Sequence, residues 1–439
     1  MMKKWFLFPL IVSAALSAER IGIVGGGGAG LAAAWLLEEE HSVTLYEEKE
    51  RLGGHADSIE VVAEGKNVVV EAGFEFFNEV GYPNFLRLLR HFDVPLNSFT
   101  LVSTFYHVDG KDTIILPPYH DGKVEWESIE PKDISRLLRF KTLLDASRPL
   151  VESQERGLTF GAFCSMLDLG DHFKESFLYP FLAAGWGLRA HEIKGMSAYN
   201  TVKYLVQGFL VEDYQWFEVE GGLQRYIRAV QDSLVSAEVR LNSRIARITY
   251  DGHYNVEEED GTVRTFDHLV LATNATSAAE LLKAIPERQD TAALLRGIRY
   301  IDTIIAIHGD PRFMPPDEND WRVVNIRYNG TDSAISMYKH WKGVKHLFKT
   351  WLNFDIRASD DKGSAVPSPL YKLVEYKHAV NDLDYFHVQR AIQLLQGREN
   401  LWFAGNWTFD NDSHESAILS AVKIAEKLAP ESERLLIFK

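Results

Sequence analysis

The sequence has little cysteine and a deficit of positive charge. Cys164 is its only cysteine, which excludes an intramolecular disulfide and any metal or iron–sulfur site that needs several thiolates. Lysine and arginine number 47 against 62 aspartates and glutamates, so the formal net charge is -15. That charge opposes binding to nucleic acid. The sequence also has no His-x-x-x-His pair on a predicted helix, which is the spacing that would indicate a metal site. We therefore expect neither a nucleic-acid partner nor a metal.

Long hydrophobic runs are also missing. The strongest candidate, Trp5–Leu16, is an apolar run of about a dozen residues behind Lys3 and Lys4, which is too short for a typical membrane span. With the small residues of Ala15-Leu16-Ser17 it matches a secretory signal peptide. We expect residues 1–18 to be a signal peptide or an N-terminal anchor, and the protein to be periplasmic or secreted. The alternative is a cytoplasmic or membrane-associated protein, with the N-terminus close to a membrane.

The rest of the chain is typical of a soluble globular protein. Of its 439 residues, 46% are hydrophobic and 25% are charged, and the length allows about two or three domains. The first stretch predicts a βαβ unit: a strand at Ile21–Val24, a glycine-rich turn, a helix at Leu31–Glu40 and a strand at Ser42–Tyr46.

The glycine-rich turn has the spacing of a dinucleotide-binding fingerprint. Gly25 permits the tight turn, Gly27 lets the backbone approach a pyrophosphate, and Gly30 lets the helix pack against the strand. Gly28 and Ala29 would present the free N–H groups of the helix N-terminus to the phosphates. Glu47 follows the second strand, where its carboxylate can accept both ribose hydroxyls, which argues for a ribose without a 2′-phosphate.

The residues after Glu47 indicate FAD rather than NAD. An acid followed by Arg-x-Gly-Gly, here Glu48 and Arg51-Leu52-Gly53-Gly54-His55, resembles the flavin-containing amine oxidase superfamily, which includes protoporphyrinogen oxidases and carotenoid desaturases. The resemblance implies that Arg51 reaches a phosphate and that Gly53 and Gly54 pass close to the cofactor. His55 would touch a phosphate or the flavin ring. We expect the FAD to be bound non-covalently, because Cys164 lies in the middle of the chain, in the predicted inserted domain.

Other stretches resemble the same superfamily in order and spacing, from Ile21 to Leu428. The closest likeness is to a bacterial branch known only as NAD/FAD-binding oxidoreductases. The resemblance adds further cofactor contacts: Gly73, Phe74 and Phe76 near the flavin ring, Ile245 near the adenine, and Gly405, Asn406, Glu415, Ser416 and Ala417 in a C-terminal flavin motif. The last helix would point its N-terminus at the flavin and stabilise negative charge there.

These features predict an α/β fold: a Rossmann-type FAD-binding domain with an inserted mixed α+β substrate domain. We expect the first domain to comprise 19–80, 215–275 and 396–435, and the second 81–214 and 276–395. The stretch from Tyr82 to Tyr214 reads as mostly helical and rich in aromatics.

Three departures from the family pattern weaken the case for an amine oxidase reaction. Asn406 stands where the family has an acid, Ser413 stands where amine oxidases carry a tyrosine, and the predicted strand Tyr300–Ile307 has no lysine. His414, at the start of the last helix, is the candidate for a proton shuttle, with a capping or surface role as the alternative.

The sequence therefore predicts an FAD-dependent oxidoreductase that removes a hydride from a C–N or C–C bond of a small or apolar substrate. A second Gly-x-Gly-x-x-Gly unit is missing, so electrons would pass to oxygen, a quinone or another acceptor. Two alternatives stay open: a flavin-dependent isomerase or mutase without net redox change, and a non-catalytic flavin-binding protein.

Overall fold

The computed structural model describes residues 18–120, 123–124, 129–209, 212–358 and 365–439. The predicted signal segment, apart from its last residue, lies outside these ranges. In the described part of the chain, no helix combines the length and the apolar character needed to cross a membrane.

The strands are β1 (Arg20–Val24), β2 (Ser42–Tyr46), β3 (Ser58–Ala63), β4 (Lys66–Glu71), β5 (Leu96–Thr100), β6 (Ser103–His107), β7 (Thr113–Leu116), β8 (Tyr119–His120), β9 (Lys123–Val124), β10 (Gln215–Val219), β11 (Glu238–Arg240), β12 (Ile245–Tyr250), β13 (Tyr254–Glu258), β14 (Val263–Phe266), β15 (His268–Leu271), β16 (Tyr300–His308), β17 (Val324–Tyr328), β18 (Ser333–Tyr338), β19 (Phe348–Trp351), β20 (Leu370–Ala379) and β21 (Leu401–Phe403).

The α-helices are α1 (Gly28–Leu37), α2 (Pro83–His91), α3 (Pro131–Ser153), α4 (Phe160–Ser165), α5 (Asp171–Phe173), α6 (Tyr179–Trp186), α7 (Ala198–Phe209), α8 (Gln224–Asp232), α9 (Ala275–Leu282), α10 (Gln289–Leu295), α11 (Asn353–Ala358), α12 (Leu383–Leu395) and α13 (His414–Leu428).

A five-stranded parallel sheet forms the Rossmann-type part of the molecule. Its strand order is β11-β2-β1-β15-β21, and every neighbouring pair is parallel. Helix α1 is buried along its whole length, as expected for a helix packed on a parallel sheet. The predicted strand–glycine–helix–strand unit is present, with α1 starting at Gly28 rather than at Leu31. The predicted α/β fold class is therefore confirmed.

The second sheet has seven strands in the order β20-β16-β19-β18-β17-β6-β7. It is mixed, because β6 and β17 run parallel while its other pairs are antiparallel. Helices α4, α6 and α7 pack with part of this sheet in a second hydrophobic core. All strands of the parallel sheet fall within 19–80, 215–275 and 396–435, and those of the mixed sheet within 81–214 and 276–395. The domain boundaries themselves stay a prediction.

The stretch from Tyr82 to Tyr214 is mostly helical, as predicted. Strands β5 to β9 also lie in it, and the sequence pattern did not predict them. Strand β6, Ser-Thr-Phe-Tyr-His, consists largely of residues that favour strands, and it is held on both edges by β7 and β17. The partner β17 lies more than 200 residues later in the chain, and short-range periodicity does not detect such a contact.

Candidate active site

The glycine-rich turn is so tightly packed that two of its positions exclude any side chain. Gly25 has φ = +110°, and a Cβ there would lie 2.5 Å from the Ala272 carbonyl oxygen. A Cβ on Gly30 would lie 1.8 Å from the Gly25 carbonyl oxygen. The first position thus permits the turn and the second permits close packing of α1 on β1, as the spacing predicts. Ala29 is buried within the same helix.

Gly27 differs, because it faces open space. A Cβ on Gly27 would meet only Gly54 Cα, at 4.0 Å. The two loops are linked by a hydrogen bond from the Gly53 N–H to the Gly26 carbonyl oxygen, at 2.8 Å. The structure thus brings the two predicted glycine motifs together at the N-terminus of α1. Between them lies a strip of backbone without side chains.

Glu47 anchors the end of β2 to this turn. It is 9% exposed, and its carboxylate accepts hydrogen bonds from the Gly26 N–H at 2.8 Å and the Lys49 N–H at 3.0 Å. The neighbouring Glu48 is exposed and lies 3.7 Å from Arg244, the residue before Ile245 at the start of β12. Glu47, Glu48 and Ile245 therefore lie along one side of the turn.

Arg51 is engaged within its own loop. Its guanidinium pairs with Asp57 at 2.5 Å and donates to the Leu52 carbonyl at 3.3 Å. A phosphate would have to share the guanidinium with Asp57. His55 follows this loop; it is exposed to solvent, and its ring packs edge-on against Tyr376 with centroids 4.9 Å apart. The protein atoms around the ring and the nearby charge of His378 lower the pKa of His55.

The segment from Gly73 to Phe77 crosses from one core to the other. A Cβ on Gly73 would lie 2.1 Å from the His55 carbonyl oxygen, so this position again needs glycine. Phe74 packs in the core of the parallel sheet and Phe76 in the core of the insert. The segment predicted to pass the flavin ring therefore lies at the junction of the two sheets.

Glu75 pins that segment through a buried charge cluster that the sequence pattern did not reveal. Its carboxylate lies 2.6 Å from Lys339 and 2.9 Å from Lys349. Lys339 also pairs with Glu218 at 2.8 Å, and Lys349 donates to the Gly73 carbonyl at 2.6 Å. Burial opposes these charges, but the lysines lower the pKa of Glu218 to about 2 and keep that of Glu75 below its usual range.

These partners come from β10, from β19 and from the residue that follows β18, and their spacing along the chain gives no hint that they meet. The strand Tyr300–His308 indeed carries no lysine, but Lys349 on the adjacent β19 reaches the segment from Gly73 to Phe77. A lysine therefore does lie beside the predicted flavin segment, but it comes from β19 and not from the strand Tyr300–His308 in which the sequence analysis looked for it.

His414, the predicted proton shuttle, is enclosed by other side chains. Its ring stacks on Phe74, with centroids 4.7 Å apart and planes 8° apart, and its Nε2 lies 2.6 Å from the Tyr226 hydroxyl. A Cβ on Gly28 would lie 2.7 Å from the same ring. Burial lowers the pKa of His414 to about 3. The side chain therefore supports α1 and Phe74 as a neutral packing group.

Glu415 holds the start of another helix. Its carboxylate accepts the Asn84 N–H at 3.1 Å and the Phe85 N–H at 2.9 Å, in the first turn of α2. Burial raises its pKa, and these bonds act against that rise. The Glu415 side chain therefore joins α13 to α2.

The first turn of α13 is fixed by its own residues. Ser413 is the N-cap and accepts the Ser416 N–H at 3.1 Å. Ser416 donates to the Asn411 carbonyl at 2.6 Å, and Ala417 is buried. Gly405, with φ = +136°, begins the preceding loop. Ser413 thus satisfies the Ser416 N–H, whereas the hydrogen bonds of the described residues include none from the N–H groups of His414 and Glu415.

Asp412, directly before Ser413, is a buried carboxylate that the sequence analysis missed. One of its oxygens accepts a hydrogen bond from the Asn406 amide, while Oδ2 is buried without a hydrogen-bond partner. His378 on β20 places its Nε2 3.4 Å from Oδ2. Burial raises the pKa of Asp412, and His378 acts against that rise. The pair spans the two sheets and lies close to His55.

The residues fit FAD on these observations: two facing glycine loops that a side chain would fill, a helix N-terminus beneath them, and a buried acid at the end of β2. A thioether link to Cys164 is excluded, because that residue is buried in the core of the insert. In the described residues, no group of three or more His, Cys, Asp or Glu side chains is arranged to hold a metal ion.

The comparisons with known proteins agree with this geometry. The model of the family described as flavin-containing amine oxidoreductase matches residues 29–368. A carotenoid phi-ring synthase of Streptomyces griseus is 28% identical over 298 residues, which are 62% of this chain and 56% of that protein. The chain therefore spans only a little over half the length of this curated relative.

Solved structures resemble the whole described fold. The CLA-producing fatty acid isomerase from P. acnes has a TM-score of 0.68 at 16% identity, over 94% of this chain and 99% of that one. Cyclohexylamine oxidase from Brevibacterium oxydans has a TM-score of 0.65 at 14% identity with the same coverage. At such low identity these likenesses show the fold and not the reaction.

Proposed function

The chain belongs to the family of flavin-containing amine oxidoreductases, and on this premise we propose that it is an FAD-dependent oxidoreductase. Its reaction would remove a hydride from a C–N or C–C bond of a small or apolar substrate. The observation that carries the proposal is the strip without side chains between Gly27 and Gly54, at the N-terminus of α1. Backbone without side chains at a helix N-terminus lets a pyrophosphate approach the N–H groups closely, which is the main function that we infer for the two loops.

FAD would supply the redox chemistry by accepting the hydride, and the protein has to bind, orient and handle the proton. Oxidation of a C–N or C–C bond releases a proton as well as a hydride. We assign that proton to the pair of His378 and Asp412, since Asp412 Oδ2 has no hydrogen-bond partner and faces His378 at 3.4 Å. His414 is a weaker candidate, because its Nε2 is already bonded to Tyr226.

The departures at Asn406 and Ser413 speak for a substrate other than a simple amine. The Asn406 amide donates a hydrogen bond to the Asp412 carboxylate. The residue at the family's acid position would therefore position the proposed proton acceptor in this protein. The hydroxyl of Ser413 caps α13, and serine offers no aromatic wall for an amine. These observations favour a C–C bond over a C–N bond.

The reaction is tested with purified holoenzyme mixed anaerobically with candidate substrates. Bleaching of the flavin by substrate, reversed by oxygen or a quinone, supports the oxidoreductase. Turnover only after chemical reduction of the flavin, without net oxidation of the product, would identify an isomerase or mutase instead. A bound flavin that responds to neither treatment would identify a binding protein.

The role of the pair is tested by Asp412→Asn and His378→Gln, with Asp384→Asn as an exposed control on α12. Loss of a positioned proton acceptor should slow flavin reduction by roughly 10²- to 10⁴-fold and change its pH dependence. The control should reduce as the wild type does. Unchanged rates and pH profiles in both variants would remove the pair from the mechanism.

We further propose that the protein is exported, because Lys3 and Lys4 precede the apolar run that ends at Leu16. Mass spectrometry of the protein isolated from its native host would give a mature N-terminus near Ser17 or Ala18. An intact Met1 would contradict cleavage and favour an anchor or a cytoplasmic protein.

A further inference from the structure

A second pocket, apart from the glycine loops, lies between α7, α12 and the loop before α13. Its volume is about 390 Å³, within the usual range for sites that hold a small molecule. None of the residues that line it belongs to the glycine-rich turn, the Arg51–His55 loop or the segment from Gly73 to Phe77. The loop from Gly405 to Ser413 and helix α13 contribute to both places, since the pocket is lined by Phe409 of the loop and Leu419 of α13.

The walls of this pocket carry an excess of positive charge. Arg156, Lys203 and Arg390 line it together with one acid, Asp410. The lining therefore has three cations and one anion, in a protein whose net charge is -15. Such a local reversal of sign draws anions to one place on the surface.

Asp410 neutralises only part of the positive charge of the pocket walls. It pairs closely with Lys203, accepts the Tyr199 hydroxyl at 2.8 Å, and accepts a longer hydrogen bond from Arg156 Nη2 at 3.5 Å. The Arg156 Nε is buried and has no hydrogen-bond partner. Arg390 is exposed and has no ion pair with any residue that the structure describes. Arg390 is therefore a cation without an ion pair among the described residues, and Arg156, which Asp410 holds only at 3.5 Å, is the second cation that a ligand can engage.

The Arg156 guanidinium is also held in place before any ligand arrives. Its Cζ lies 4.8 Å from the ring centre of Tyr199 and 5.3 Å from that of Phe386, and Nη1 donates to Gln389 at 3.1 Å. A fixed guanidinium loses little conformational entropy when it binds an oxyanion.

The same pocket offers apolar surface to the rest of a ligand. Phe409 and Leu419 line it and are only partly buried. We propose that this pocket binds an organic oxyanion with an apolar body, with its head group at Arg156 and Arg390 and its body against Phe409 and Leu419. The site is separate from the cofactor cradle and does not depend on the proposed reaction.

The test is isothermal titration calorimetry of the full holoenzyme with octanoate, octyl phosphate and the neutral octanamide. We expect at least one of the two anions to bind tenfold or more tightly than octanamide, and its affinity to fall as salt is raised. Tighter binding of octanoate would identify a carboxylate site, and tighter binding of octyl phosphate a phosphate site. Equal affinity of all three compounds, or no binding of either anion, would overturn the proposal.

Two variants locate the binding. Arg390→Gln should weaken binding of the preferred anion about five- to tenfold, whereas Arg228→Gln, an exposed arginine on α8, should leave it unchanged. Asp410→Asn should tighten binding by a similar factor, because Lys203 and Arg156 lose their competing partner. Unchanged affinity in both pocket variants would show that the anion binds elsewhere.

Discussion

Two glycines of the same turn should respond in opposite ways to one added methyl group. In Gly30→Ala the new Cβ would lie 1.8 Å from the Gly25 carbonyl oxygen, so the backbone of α1 must move. Forced overpacking of this kind costs about 1–3 kcal/mol or more in stability. In Gly27→Ala the Cβ meets only Gly54 Cα at 4.0 Å, and φ is -68°, which alanine adopts freely. The fold should therefore lose less than about 1 kcal/mol.

For cofactor binding the order should be reversed. The methyl group of Gly27→Ala would project into the strip where the pyrophosphate is expected, so FAD affinity should fall at least tenfold, which is about 1.4 kcal/mol. The assay is urea unfolding of each apoprotein, followed by titration with FAD and detection of flavin fluorescence. Wild-type affinity in Gly27→Ala would refute the placement of the pyrophosphate. Wild-type stability in Gly30→Ala would refute the packing argument.

Three further predictions concern buried charge. Lys339→Met leaves Glu75 and Glu218 without their shared partner and should cost about 3–5 kcal/mol in urea unfolding, while the exposed Lys345→Met should stay within about 1 kcal/mol of wild type. The pKa of Glu218, lowered from 4.5 to about 2, contributes stability above pH 4.5 that is lost as the pH falls toward 2, and acid unfolding of Lys339→Met should show less of this contribution, since Lys342 and Trp341 still contact Glu218. The pKa of His414 is lowered from 6.5 to about 3, so between these pH values the unfolded state binds more protons than the folded state. The free energy of unfolding measured in urea should therefore decrease as the pH is lowered across this window, and it should decrease less in His414→Phe.

The part of the fold that local patterns encode could be predicted from the sequence. Strand β2 coincides with the predicted Ser42–Tyr46, and α13 begins at His414, which the sequence analysis placed at the start of the last helix. In both, the hydrophobic pattern and the turn residues lie within a short window. Strand β6 was missed because one of its edges is completed by β17, far along the chain, and β7 lies at the sheet edge and pairs with β6.

The candidate site shows the same limit. Gly27 and Gly54 belong to motifs of known spacing, so their approach could be anticipated. The partnership of Asp412 with His378 joins the loop before α13 to β20, and no spacing rule connects the two. His414 was chosen because it stands at a helix N-terminus, but its ring turns toward Phe74 and Tyr226, a direction that depends on packing alone.

Bound FAD is the central requirement of the proposed function, and the absorbance spectrum of the purified protein tests it most directly. We expect flavin bands near roughly 375 and 450 nm, and FAD in the supernatant after acid precipitation. A colourless protein that cannot be reconstituted with FAD would contradict the account, and the glycine loops at Gly27 and Gly54 would then need another ligand.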